Sequence, residues 1–394
     1  MKSLMIRSPA AFREKQRIDA RTLHRVTEIN LGQRRVQGEN LETGKTGWEP
    51  FDQLLLAMGA ISIRPKIPGI DGQGIYELNT LQSGIKVRQA VDQEKPGKIV
   101  IIGGGYIGLE MAENFILRGL DVTVVEKLPQ VMNTLDPDMS APISEGIKNK
   151  GVKLFLEESV KEFETEGGKV RAVITEKQRF PADLVVLGLG VRPNVALARQ
   201  AGIPLGETGA IRVNNRMATE IQGVWAAGNC AESFHRVSKR PAFIALGTVA
   251  NKQGRVAGIN IGGGEATFPG IVGTAMVKVF EMEVARTGLQ EREIQQLGLA
   301  YVSAKIEGRT RAGYYPGAGR ITVKVFAEKG SGRLLGGQIV GTAGAAKRID
   351  VLATALHAGL TVEEVLNLDL GYSPPFSPAW DPVLIAARQA AGLV

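Results

Sequence analysis

The sequence predicts an α/β protein, on three observations. Its 49 glycines gather in tight clusters that punctuate apolar runs, the pattern of glycine-rich turns between strands and helices. A strand, turn, helix and strand follow one another through residues 97 to 127. From about residue 270 the composition changes to alternating strands with helices behind them, which predicts a separate α+β domain. At roughly 150 residues per domain, a chain of 394 residues has room for two to three.

Taken in order, the N-terminal "MKSLMIRSPAAF" has no apolar run long enough for a signal peptide, and nothing later approaches a membrane span. The expectation is a cytoplasmic protein without membrane attachment. Residues 98 to 102 of "GKIVIIGGGYIGLEMAENFILRGLDVTVVEK" form a short apolar run that reads as a buried parallel strand. Gly103, Gly105 and Gly108 then give G-x-G-x-x-G, and Ile107, Met111, Phe115 and Leu117 give the following helix its apolar positions. "DVTVVE" reads as a second β-branched strand ending at Glu126. Each part has a role in holding a dinucleotide. Gly103 allows the tight turn, Gly105 the approach of a pyrophosphate, and Gly108 close helix–strand packing. Amides at the helix start face the phosphates, and the carboxylate accepts the adenosine ribose hydroxyls.

Further strands are expected at 152 to 156, 169 to 175, 183 to 188 and 223 to 227, and a helix from about Leu246 to Ile261. In the last domain "RITVKVFAE" and "RLLGGQIVG" read as strands, followed by helices at about 343 to 359 and 379 to 391. Glu281 and Glu283 read as solvated charges.

Composition narrows the function classes. The charge is +8, but basic residues are scattered and aromatics are only 5%, so no basic stripe with interleaved rings points to nucleic acid. Three histidines, His24, His235 and His357, have no ligand spacing, and a lone cysteine, Cys230, excludes an internal disulfide framework and a multi-cysteine metal site. No metal is expected.

The blocks "FDQLLLAMGA", "GGGYIGLEMAE", "GLGVRPN", "AAGNCAE", "ALGTVANKQGRVAG", "GTAMVKVF" and "YSPPFSPAWDP" together resemble the FAD-dependent pyridine nucleotide–disulfide oxidoreductases, in the branch of coenzyme A disulfide reductase and NADH oxidase or peroxidase. The resemblance runs from about residue 3 to residue 391. It implies two Rossmann-like nucleotide-binding domains, the FAD domain discontinuous, plus a C-terminal α+β dimerisation domain. The segments would be 1–95 (FAD, first part), 96–208 (NAD(P)H), 209–269 (FAD, second part) and 270–394 (dimerisation). The implied cofactors are FAD and NAD(P)H, with NADH preferred because Glu126 repels a 2′-phosphate, softened by Lys127. The implied partners are a second copy of the chain and a small disulfide, oxygen or peroxide.

Cofactor contacts are implied at Ala57, Gly59, Gly103, Gly105, Tyr106, Ile107, Gly108, Glu110, Glu126, Lys127, Gly190, Gly228 and Asn229. Ala245, Leu246, Gly247 and Thr248 would aim a helix start at the flavin. Asn229 stands where the family usually has aspartate, and Met58 replaces a usual threonine. By the same resemblance Cys230 would belong to the flavin turn rather than to a redox pair. Tyr372 matches a tyrosine presented to the partner subunit's active site, and Tyr314 and Tyr315 lie near the coenzyme A channel. The family's first FAD fingerprint and redox cysteine would lie ahead of Met1, on a segment on the order of 50 residues, more than one βαβ unit. The expected activity is hydride transfer from NADH to flavin and on to a disulfide, oxygen or peroxide. Two alternatives stand beside it: an NAD(H)-binding dimeric paralogue without disulfide reductase activity, and a flavoprotein whose acceptor needs no protein thiol.

Overall fold

The computed structural model describes residues 6–394; Met1 and residue 3, where the resemblance begins, lie outside them. The chain divides into two compact units. One gathers the stretches up to Gly59, Pro193–Glu232 and Gly247–Phe268, and the other Ala60–Arg192, Ser233–Leu246 and Pro269–Val394.

In the first unit the strands His24–Asn30, Arg35–Asn40 and Thr46–Pro50 form an antiparallel sheet. Leu54–Leu56 pairs in parallel with Val224–Ala226, the strand expected at 223 to 227. The helix Gly247–Ile261 buries Val249, Gln253, Val256, Ala257 and Asn260. Those positions recur at helical spacing and make one inward face. Ile29, Leu56, Ile211, Val224, Ala226 and Cys230 are buried together at the centre of this unit.

The second unit is built on a five-stranded parallel sheet. Its order is Ile75–Glu77, Leu184–Leu187, Lys98–Ile102, Asp121–Val125, Lys153–Phe155. Ile99 and Ile101 face the fingerprint helix Tyr106–Leu117 in one core, while Val100 and Ile102 face a second core under the strands Val160–Glu166, Lys169–Thr175 and Arg179–Pro181. That period of two with both faces covered explains why the central strand reads as an unbroken apolar run.

Beyond residue 270 lies an antiparallel sheet ordered Ala275–Val279, Met282–Gly288, Leu334–Gly341, Arg320–Glu328, Tyr301–Arg309. Val277, Val279, Val284 and Val340 of this sheet, with Phe280 of the turn between its first two strands, share the core of the fingerprint helix. A Cβ added at Gly146 would meet Met282 Cε at 2.5 Å, so that glycine admits the methionine between helix and sheet. Lys324, whose side chain is 8% exposed, donates to Asp136 and Asp138 at 3.0 Å each.

Three expectations need correction here. The helix expected at about 343 to 359 spans Ile349–Ala358 and is preceded by a 3-10 turn at Ala346–Arg348. The helix expected from 379 starts at Pro382, because Asp381 caps it by accepting from the Val383 N–H at 2.9 Å and proline suits the first helical position. Glu283 is not merely solvated: it accepts N–H bonds from Gly344 at 3.1 Å and Ala346 at 2.8 Å, fixing the turn before the helix Ile349–Ala358. Glu281, by contrast, is an exposed partner of Lys150.

Candidate functional site

The glycine turn follows from what each position can accommodate. Gly103 has φ 103, and a Cβ there would lie 2.5 Å from the Gly188 carbonyl oxygen. A Cβ on Gly108 would lie 2.0 Å from the carbonyl oxygen of Gly103, so the helix can sit this close to the strand only without a side chain. Gly105 differs: its Cβ would meet nothing within 4 Å. That empty space at the helix start, beside its free amides, has room for a pyrophosphate.

Glu126 stands at the end of the second strand, and its carboxylate accepts from the Gly104 N–H at 2.6 Å and the Leu128 N–H at 2.8 Å. Each oxygen keeps a further lone pair for a ribose hydroxyl. Lys127 is exposed, and Ile107 is half-buried in the first turn of the helix. Glu110 lies on the same helix, its carboxyl held above the usual range by desolvation and then by the Glu113 charge.

Tyr106 opens the fingerprint helix, and its hydroxyl accepts from Thr134 at 3.1 Å. It lines a cavity of ≈ 590 Å³ together with Thr134, His235, Ala245, Leu246 and Arg286. The dinucleotide fingerprint and the segment expected to face a flavin therefore meet at one cavity. His235, which sequence spacing left without a role, is a wall of it. Its Nδ1 accepts from the Ser238 N–H at 3.2 Å, and burial lowers its pKa, with Glu293 opposing and Arg286 reinforcing.

In the first unit the expected flavin turn is held by a buried glutamine. Gly228, at φ 78, donates its N–H to Gln253 Oε1 at 2.8 Å, and Gln253 Nε2 donates to the Glu232 carbonyl at 3.2 Å. Gln253 lies within the block "ALGTVANKQGRVAG", but no role was assigned to it there, and sequence reasoning missed it. Asn229 Oδ1 is buried without a hydrogen-bond partner among the described residues. An orphaned acceptor in this turn suits a ribityl hydroxyl, so the residues present fit FAD. Gly247 and Thr248 are exposed at the start of their helix, and Ala57 and Gly59 follow the strand Leu54–Leu56, Gly59 at φ 69. Met58 offers its carbonyl to Asn194 Nδ2 at 3.3 Å. Gly190, at φ 84, lies in the other unit, where its carbonyl accepts from the Ile63 N–H at 3.0 Å.

Cys230 is fully buried, and its thiol donates to the carbonyls of Leu56 at 3.3 Å and Ala227 at 3.4 Å. Burial pushes its pKa up, the opposite of what a thiolate nucleophile needs. Tyr314 and Tyr372 are brought together on the second unit, where a hydrogen bond to Tyr372 raises the Tyr314 pKa. Both are exposed, as are Phe376 and Trp380. Among the described residues no cluster of three or more His, Cys, Asp or Glu could hold a metal, and no helix is long and apolar enough to cross a membrane.

Comparison with known proteins matches residues 3–254 to the pyridine nucleotide-disulphide oxidoreductase family and residues 274–383 to its dimerisation domain. An NAD(P)H coenzyme A polysulfide/persulfide reductase of Pyrococcus horikoshii is 38% identical over 98% of this chain and 85% of its own length. An NADH oxidase of Methanocaldococcus jannaschii is 32% identical over 98% and 86%. Among solved structures, the reduced CoADR-RHD of Bacillus anthracis superposes with a TM-score of 0.96 at 35% identity, covering 100% of this chain and 70% of that one.

Proposed function

The chain belongs to the pyridine nucleotide-disulphide oxidoreductase family, and from that premise we propose that it is an FAD-dependent NADH oxidoreductase acting on a small sulfur acceptor such as a coenzyme A disulfide or persulfide. The family binds FAD and NAD(P)H, and relatives with this overall sequence include coenzyme A persulfide and disulfide reductases and NADH oxidases. The observation that carries the reading is the shared cavity, with Tyr106 of the dinucleotide fingerprint on one wall and Ala245 and Leu246 on another.

Flavin, when bound, supplies the two-electron carrier between nicotinamide and acceptor. The chain supplies position and field. Gly105 leaves room for the pyrophosphate, Glu126 takes the ribose, and Tyr106 and Thr134 border the place where the nicotinamide arrives. Asn229 offers its free amide oxygen to the ribityl chain, and the helix starting at Gly247 directs its positive end outward. Residues 270–394 form the dimer contact in this reading, with 1–95 and 209–269 serving FAD and 96–208 serving NADH; exposed Tyr372, Phe376 and Trp380 support it. The setting is the cytoplasm.

The test is anaerobic titration of FAD-supplemented protein with NADH, followed by coenzyme A disulfide, persulfide, oxygen or peroxide in turn. NADH should bleach the visible flavin absorbance; because buried Cys230 is no redox thiol, a sulfur acceptor should restore it faster than oxygen or peroxide only in protein that also carries the family's N-terminal redox cysteine. Unchanged absorbance would end the proposal; faster recovery with oxygen in that protein would move the chain to the oxidase class. NADPH should bind at least about tenfold more weakly than NADH, since Glu126 faces the extra phosphate, and Glu126→Ala should narrow that gap. Tighter NADPH binding by the unaltered chain would overturn the assignment.

A further inference from the structure

A second acid stands beside Glu126 at the carboxyl end of the parallel sheet. Glu158 follows the strand Lys153–Phe155, and its N–H donates to the Glu126 carbonyl at 3.0 Å. The two residues are therefore neighbours across adjacent strand ends. Between strand and acid, Glu157 is held at φ 55, in the left-handed region that glycine usually occupies, and its N–H donates to the Leu128 carbonyl at 3.2 Å. Non-glycine residues kept in that conformation cluster at ligand clamps.

Beyond this turn Glu158 is only 4% exposed. Its Oε1 accepts from Gln178 Nε2 at 3.0 Å. Its Oε2 is buried and has no partner among the described residues. Folded proteins leave few such atoms, because a carboxylate oxygen removed from water without a donor is costly.

A ligand at this end of the sheet can bring the missing donor. With the pyrophosphate over the glycine turn and the ribose on Glu126, the next group outward along the strand ends is the adenine. The base has a single donor group, its exocyclic amine. We propose that Glu158 reads the adenine of NADH, with Oε2 accepting from that amine. The inference rests on the dinucleotide reading above and adds a base-recognition residue to it.

Reduced nicotinamide hypoxanthine dinucleotide separates the possibilities, because a carbonyl replaces the exocyclic amine and the base's donor moves to the ring N1–H, out of line with an oxygen placed to meet the amine. Against the carboxylate this sets acceptor facing acceptor. Titrating the unaltered chain with each dinucleotide, followed by nicotinamide fluorescence, should give roughly tenfold or more weaker binding of the hypoxanthine form. Glu158→Gln can turn its amide nitrogen toward that carbonyl and should shrink the ratio to about threefold or less. Glu126→Ala should weaken both dinucleotides and leave their ratio standing. Equal binding of the two by the unaltered chain would overturn the inference and assign Oε2 to an ordered water. A ratio unchanged in folded Glu158→Gln, verified by thermal unfolding, would overturn it as well. Failure of both dinucleotides to bind would instead defeat the dinucleotide site itself.

Discussion

Two single-atom additions in one turn should have opposite signatures. Gly108→Ala puts a Cβ 2.0 Å from the Gly103 carbonyl oxygen and 3.1 Å from its carbon. Relief requires moving backbone, because neither atom belongs to a side chain that can rotate away. Overpacking of this kind costs about 1–3 kcal/mol, occasionally more, and here it displaces the fingerprint helix from the central strand. Gly105→Ala meets nothing within 4 Å, and its φ of −83 is ordinary for alanine. Its effect on stability should stay within about 0.5 kcal/mol. The same Cβ fills the space a pyrophosphate needs, so NADH affinity should fall by at least about tenfold, or ~1.4 kcal/mol. The assay pairs thermal unfolding with NADH titration for both variants. If Gly105→Ala binds NADH like the unaltered chain, the empty space is not the phosphate seat. If it unfolds as early as Gly108→Ala, the steric argument fails.

Lys324→Met removes the cation from buried Asp136, 4% exposed, and should cost about 3–5 kcal/mol in chemical denaturation. Adding Asp136→Asn should recover part of the loss, and a stable single variant would contradict a paired role. His235, with its pKa lowered by burial, resists a proton that the unfolded chain accepts near pH ~6.5. Stability should therefore drop as pH falls through that value, and level only below the lowered native pKa. His235→Gln should flatten this part of the curve, whereas parallel curves would refute it. Cys230 should react with a thiol reagent only after unfolding, and Cys230→Ser should cost about 1 kcal/mol while leaving NADH-dependent dye reduction largely intact. Rapid labelling of the native thiol would place it outside the core.

The local features were readable before any coordinates. Gly103, Gly105 and Gly108 announce a turn because their spacing reports a steric need within one segment. The run at 98 to 102 reads as a strand because both faces are covered. Cys230 could be assigned to a packed turn through the family resemblance of the block around it. What stayed hidden depends on distant partners. Glu158 looks like any surface acid until the turn at Glu157 folds it inward against Gln178. Glu283 alternates with apolar residues as a solvated strand charge would, and only the later turn at Gly344–Ala346 turns it into an acceptor. His235 had no ligand spacing because its role is to wall a cavity shared with residues far along the chain. The change of composition at 270 marks the start of the five-stranded antiparallel sheet, but periodicity gave no sign that this sheet shares a core with the parallel one.

That shared core governs how the molecule could be recombined. Met282 lodges against Gly146, and Val277, Val279 and Val340 pack with Leu109 and Phe115. A nucleotide module cut at the compositional boundary would expose this apolar seam and lose its mating surface. Chimaeras that exchange cofactor preference between relatives should therefore carry the nucleotide segment and the antiparallel sheet across as one cassette. Where only the nucleotide segment is exchanged, residues 109, 115, 146, 277, 279, 282 and 340 form the set to be matched at the splice.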